Sequence, residues 1–84
     1  MRTYKIKFEK AALKFIEKQD KTQRLRLYKA INKLPDGDDV KKLTGTEIYR
    51  LRIGNYRVLY TIDDEIRLIN IENIGNRGQV YRRL

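Results

Sequence analysis

The stretch from residue 50 to residue 57 holds three arginines, Arg50, Arg52 and Arg57, set around the dipeptide Gly54-Asn55. A guanidinium keeps its proton at any physiological pH and presents a planar fork of donors. That fork grips phosphate or carboxylate oxygens two at a time. Arginines at this density therefore point to an oxyanion site. Farther along, Arg77 lies in the run Gly75-Asn76-Arg77-Gly78, and Tyr81 follows it. Both can reach the same region, and loops beside a rigid platform often carry reactive groups. The bland alternatives are a solvated strand face for the arginines and a core-edge aromatic for Tyr81. The usual catalytic side chains are missing. There is no His, the commonest acid or base near neutral pH, and no Cys for a nucleophile, a disulfide or a thiolate metal site. Asp36, Asp38 and Asp39 cluster as D-G-D-D beside Pro35. They read as a turn and an exposed acidic patch, so no metal or other cofactor is expected.

The elements that position these residues must come from one small unit. The chain has 84 residues, with 20 Lys+Arg against 11 Asp+Glu and a net charge of +9. That length supports a single domain over residues 1–84 with one thin core. The charge points to an anionic partner. No apolar run is long enough to span a bilayer and no apolar signal core begins the chain, so a cytoplasmic protein without membrane contact is expected.

Thr3 to Phe8 alternates Tyr4, Ile6 and Phe8 with Thr3, Lys5 and Lys7, the pattern of a half-buried strand. From Glu9 to Leu34 the period becomes helical. Ala12, Phe15 and Ile16 stripe a first short helix, and Leu27, Tyr28, Ile31 and Leu34 stripe a second. Asp20, with Gln23 three residues on, resembles a capping box, and Pro35-Asp36-Gly37 stops the second helix. Lys10, Lys14, Lys18, Arg24 and Lys29 stud these helices. They form either a solvated face or a docking surface for a nucleic-acid backbone. Residues 35–47 read as a polar loop. Three strands follow, Ile48–Ile53, Tyr56–Ile62 and Ile66–Ile74, with Val80-Tyr81 as a possible last piece. The expectation is an α+β domain in the order β-α-α-β-β-β, its two N-terminal helices packed on a mostly antiparallel twisted sheet.

Gly54-Asn55 suits a two-residue type II′ hairpin turn. That turn sets Ile53 opposite Tyr56, Arg52 opposite Arg57, Leu51 opposite Val58, Arg50 opposite Leu59 and Tyr49 opposite Tyr60. Directly opposed side chains share a face. Tyr49, Leu51, Ile53, Tyr56, Val58 and Tyr60 then cover the helices, and Arg50, Arg52 and Arg57 gather on the other face. Like charges set directly opposite destabilise a strand pair by roughly 0.2–1 kcal/mol, so either an acid neutralises them or an anion is bound there. Placing Ile69 and Ile71 in the core would set Glu72 beside Arg57 as that acid.

The run L-T-G-T-E-I-Y-R-L-R-I-G-N-Y-R-V-L-Y-T-I-D-D-E (Leu43 to Glu65), followed by I-G-N-R-G-Q-V-Y-R (Ile74 to Arg82), resembles the RelE/ParE superfamily of toxin–antitoxin toxins. The signatures are Y-R-L-R-x-G-x-Y-R-V-x-Y and G-x-R-x-x-x-Y, and the N-terminal part is compatible with them. The resemblance implies a RelE-like, microbial-RNase-like fold. It also implies either a RelE-like endoribonuclease that cleaves mRNA in the A site of the 70S ribosome without a metal, or a ParE-like inhibitor of DNA gyrase. By position, Arg50 and Arg52 match the family's basic pair, Arg57 the arginine after the turn, Arg77 the loop arginine and Tyr81 the C-terminal tyrosine. In the RelE-like branch these hold the scissile phosphate. The basic pair is lysine in the best-known members. Arginine cannot give up its proton, so here Arg50 and Arg52 position phosphate and do not act as bases. With Leu84 as the last residue, no appended C-terminal helix is expected.

Within the RelE-like reading, Arg57 stabilises charge on the transition state and Arg77 assists the leaving oxygen. Tyr81 is the candidate base, or a stacking platform for a nucleobase. Lys10, Lys14, Lys18, Arg24 and Lys29 become candidates for docking on ribosomal RNA. The implied partner is a cognate antitoxin whose acidic or amphipathic segment wraps the basic body. No direct DNA contact is expected from this chain. A basic binding module without activity is the remaining alternative.

Overall fold

The computed structural model describes residues 3–37 and 39–76. Its elements are β1 (Lys5–Phe8), α1 (Lys10–Glu17), α2 (Lys21–Ile31), β2 (Val40–Lys42), β3 (Tyr49–Ile53), β4 (Tyr56–Asp63) and β5 (Leu68–Asn76). They build a five-stranded sheet in the order β1-β5-β4-β3-β2. β1 runs parallel to β5, and the other neighbours are antiparallel. The α+β expectation holds, with one strand added. Val40–Lys42 pairs with Tyr49–Leu51 inside what the sequence reads as a polar loop. Only Val40 of the three is apolar, so alternation gives β2 almost no signal.

Both helices cover one face of the sheet. Ala12 and Ile16 of α1, and Leu27 and Ile31 of α2, bury against Leu51, Ile53, Val58, Tyr60, Ile69, Ile71 and Ile74. Edge-on aromatic pairs, Phe8 with Tyr28 and Phe15 with Tyr56, close the margins of this core. Asp20 caps α2, its Oδ1 accepting from the Gln23 N–H at 2.9 Å, a contact worth about 1 kcal/mol. The reciprocal half of the capping box is not made, because Gln23 Oε1 is buried without a partner among the described residues.

The β3–β4 hairpin has the register expected from its turn. Ile53 faces Tyr56, Arg52 faces Arg57, Leu51 faces Val58, Arg50 faces Leu59 and Tyr49 faces Tyr60. Gly54 supplies the positive φ, 56°, that the first position of a type II′ turn requires. The next connection differs slightly from expectation. Asp63 Oδ1 accepts from the N–H groups of Glu65 and Ile66, and β5 starts at Leu68, leaving Ile66 exposed.

A bulge then shifts β5 against β4. Leu59 pairs with Asn73 but Tyr60 pairs with Ile71, so Glu72 is the extra residue. The bulge explains why Ile69, Ile71 and Ile74 are all buried although they break strict alternation. Arg57 faces Gly75, while Glu72 accepts from Thr61 and Asn70. The expected Glu72–Arg57 pairing is therefore replaced by a polar cluster at the far side of the sheet, where Asn70 also donates to Glu9.

Candidate functional site

The sheet face turned away from the helices gathers the arginines, because β3 and β4 are locked by a turn with no slack. Arg52 and Arg57 are opposed, and Arg50 lies two residues along β3. Arg50 and Arg52 share the carboxylate of Asp39, and Arg57 has acceptors of its own. Arg57 Nη1 donates to the carbonyls of Gly54 and Tyr56, each at 3.0 Å. Arg50 Nη2 donates to Asp39 Oδ1 at 3.0 Å, and Arg52 Nε lies 3.5 Å from Asp39 Oδ2. The like charges thus splay apart, Arg57 toward the turn and the β3 pair toward β2.

Asp39 overturns the reading of the D-G-D-D run as only a turn and an exposed acidic patch. Its carbonyl accepts from the Arg52 N–H at 3.0 Å, extending the β2–β3 ladder by one step. Its carboxylate sits between two arginines. Asp36 remains exposed, and Asp38 lies outside the described residues.

Exposure separates the arginines of β3. The Arg50 side chain keeps 13% of its surface and its Nε is buried without a partner among the described residues, whereas Arg52 keeps 47%. Across from Arg50, Leu59 is buried although it lies on the arginine face. β2 adds a cation to this face. Lys41 is exposed and stands in register with Arg50. Sequence reasoning misses Lys41, and the role of Asp39, because β2 itself is hidden. Their i, i+2 spacing around Val40, the apolar partner of Leu51, is the available signal. Among the described residues, Arg50, Arg52, Arg57 and Lys41 outnumber the single carboxylate between them, so the face favours an oxyanion.

Similarity to known proteins decides what kind of protein carries this face. A family profile described as the ParE toxin of the type II toxin–antitoxin system, parDE, matches residues 6–81. The chain belongs to the RelE/ParE superfamily. The toxin is similar over 94% of its length to RelE of the archaeal RelE–RelB complex from Pyrococcus horikoshii OT3, all of which it covers. The TM-score there is 0.77 and the identity 28%. The isolated E. coli RelE toxin superposes with a TM-score of 0.73 at 27% identity, over 96% of this chain and 94% of that one. A toxin named RelE1 from Methanocaldococcus jannaschii is 42% identical over 45 residues. That alignment takes in 52% of this chain and spans about half, 50%, of that relative.

Of the toxin's expected site residues, Arg50, Arg52 and Arg57 share one face, and Arg77 and Tyr81 lie outside the described residues. On the helices, Lys10, Lys14, Lys18 and Lys29 are exposed. None of the four has an acidic partner among the described residues. Arg24 differs. Its Nη1 donates to the Gln19 carbonyl at 3.1 Å and so holds the α1–α2 connection. The Gln19 amide in turn accepts from the Tyr56 hydroxyl at 3.1 Å, which fastens that connection to β4 beside the turn.

Proposed function

We propose that this toxin is a ribosome-dependent mRNA endoribonuclease that works without a metal. The observation carrying the reading is the face on which Arg52 and Arg57 stand opposite each other, with no acid opposing Arg57 among the described residues. The similarity to RelE toxins supports it. The reaction is strand cleavage by the RNA's own 2′-OH. The 2′-oxygen forms a bond to phosphorus as the bond to the 5′-oxygen breaks, leaving a 2′,3′-cyclic phosphate and a 5′-hydroxyl. Arg52 holds the phosphate, and Arg57 stabilises the charge that grows on it in the transition state. Arg77 stabilises the charge on the departing 5′-oxygen, which takes its proton from water, and Tyr81 takes the 2′-OH proton. The ribosome orients the substrate, with Lys10, Lys14, Lys18, Arg24 and Lys29 docking on ribosomal RNA, so the free protein is a poor nuclease. A cognate antitoxin with an acidic or amphipathic segment is the partner that covers the basic surface, and the cytoplasm is the working compartment.

The test is mapping of mRNA ends in a reconstituted translation reaction. New ends inside ribosome-bound codons are expected with the parent. Arg57→Ala and Tyr81→Phe should each lower their appearance by on the order of a hundredfold, the loss seen when one transition-state donor or proton-transfer group is removed. Unchanged cutting by both variants would defeat the assignment. The match to a ParE toxin family favours a second reading, inhibition of DNA gyrase without nuclease activity. In that case supercoiling by purified gyrase is blocked and no mRNA ends appear.

A further inference from the structure

We propose that Asp39 is a positioning residue of the phosphate site, held by Arg50 as a buried anchor so that Arg52 alone of the β3 pair meets phosphate. The inference rests on the nuclease reading and refines it. Three observations carry it. First, Arg50 keeps only 13% of its side-chain surface and spends Nη2 on Asp39, so little of its fork is left for a substrate. Second, Asp39 is tied to β3 by main chain and side chain together, through its carbonyl on the Arg52 N–H and its two carboxylate oxygens on the two arginines. Third, the carboxylate approaches Arg52 at Nε. Four of the five guanidinium N–H groups sit on the two Nη atoms. Contact at Nε takes one edge of the half-exposed Arg52 guanidinium, and its end-on fork, formed by one N–H from each Nη, remains for two phosphate oxygens.

The physical gain is preorganisation. A free arginine loses rotamer freedom when it grips a ligand, and one already held by a carboxylate has lost much of it beforehand. The carboxylate also lowers the repulsion between Arg50 and Arg52. Asp39 does not touch the reacting atoms in this scheme. It acts through Arg52.

The chain Arg50 to Asp39 to Arg52 has a distinctive kinetic signature. Single-turnover cleavage and ribosome affinity are measured separately in reconstituted translation, with melting curves for every variant. Asp39→Asn and Arg52→Ala should each slow cleavage by on the order of ten- to a hundredfold, the loss expected from a catalytic group misplaced by about an ångström. Asp39→Glu should recover most of the rate. The Asp39→Asn/Arg52→Ala double variant should be no slower than Arg52→Ala alone, whereas Asp39→Asn combined with Arg57→Ala should multiply the two losses. If Asp39→Asn fails to give a folded melting curve, Arg50→Met reports on the same link and should show the same loss. Cleavage at the parental rate or faster in Asp39→Asn would overturn the proposal, since the carboxylate would then be irrelevant or would mask the arginines. Multiplied losses in the Asp39/Arg52 pair would also overturn it.

One measurement does not depend on cleavage. The Nε–H resonance of Arg52 in a nitrogen–proton spectrum should be dispersed and slow to exchange in the parent, and should collapse in Asp39→Asn. A random-coil signal in the parent refutes the positioning role. An inactive parent that keeps the dispersed signal defeats the nuclease reading and leaves the positioning of Arg52 standing.

Discussion

Arg52 and Arg57 meet across the hairpin as like charges, and each relieves the repulsion by turning to its own acceptor, Asp39 for one and the turn carbonyls for the other. Residue types and spacing alone make this cluster visible. They do not show which acid answers it, and Glu72, the acid that alternation suggests, bonds Thr61 and Asn70 instead. Tyr60 is a second residue whose environment only the structure reveals. It is buried at the sheet centre, stacks on Tyr49 with ring centroids 5.5 Å apart, and its hydroxyl has no hydrogen-bond partner among the described residues. Burial first, and the neighbouring Tyr49 second, push its phenol from the usual 10.0 up to about 12. The folded protein therefore holds this proton after the unfolded chain has lost it. The associated stability is complete below pH 10 and disappears as pH rises toward about 12. Tyr60→Phe should show a shallower fall in unfolding free energy across that alkaline window. At neutral pH it should match or exceed the parent, by up to about 1 kcal/mol, because a buried hydroxyl without a partner is removed. Urea unfolding at a series of pH values checks both.

Among the elements, the helices and the hairpin are legible because their signals are local. Asp20 and the Leu27, Ile31 stripe mark α2, and Gly54-Asn55 leaves β3 and β4 one register. β2 is not legible, since three residues with two lysines carry no alternation. Its seat depends on Gly37. A Cβ there would lie 2.9 Å from Val40 Cγ2 and 3.0 Å from Leu51 Cδ1. Gly37→Ala must push apart the apolar contact that fixes β2 on β3. The expected cost is about 1–3 kcal/mol, the usual range for overpacking, read as a lower urea midpoint. If Asp39 positions Arg52 as proposed, the same variant lowers cleavage more than its stability loss predicts.

Across the molecule, the net charge of +9 divides into two populations. The helix lysines are exposed and without acidic partners among the described residues, whereas the sheet arginines are individually held. Their contributions to binding should differ accordingly. If the protein docks on ribosomes as proposed, the logarithm of its affinity should fall linearly with the logarithm of salt concentration. Replacing Lys10, Lys14 and Lys18 with Gln should flatten that slope by about 0.7–0.9 for each phosphate left without its lysine, with the intrinsic cleavage rate unchanged. A slope that stays the same would return those lysines to a solvated face.

The α+β class, the hairpin register and therefore the face shared by Arg50, Arg52 and Arg57 are all written in the amino-acid order. Each follows from short-range rules, a period or a two-residue turn, that act within a few residues of chain. The partners of those arginines come from packing instead. Asp39 reaches Arg50 across 11 positions and a strand with almost no pattern, and Glu72, at a bulge, bonds Thr61 and Asn70 while Arg57 faces Gly75. A strand's side chains alternate with a period of two, so one inserted residue reverses every face beyond it. Which charge meets which across the sheet is therefore settled only when the strands are packed.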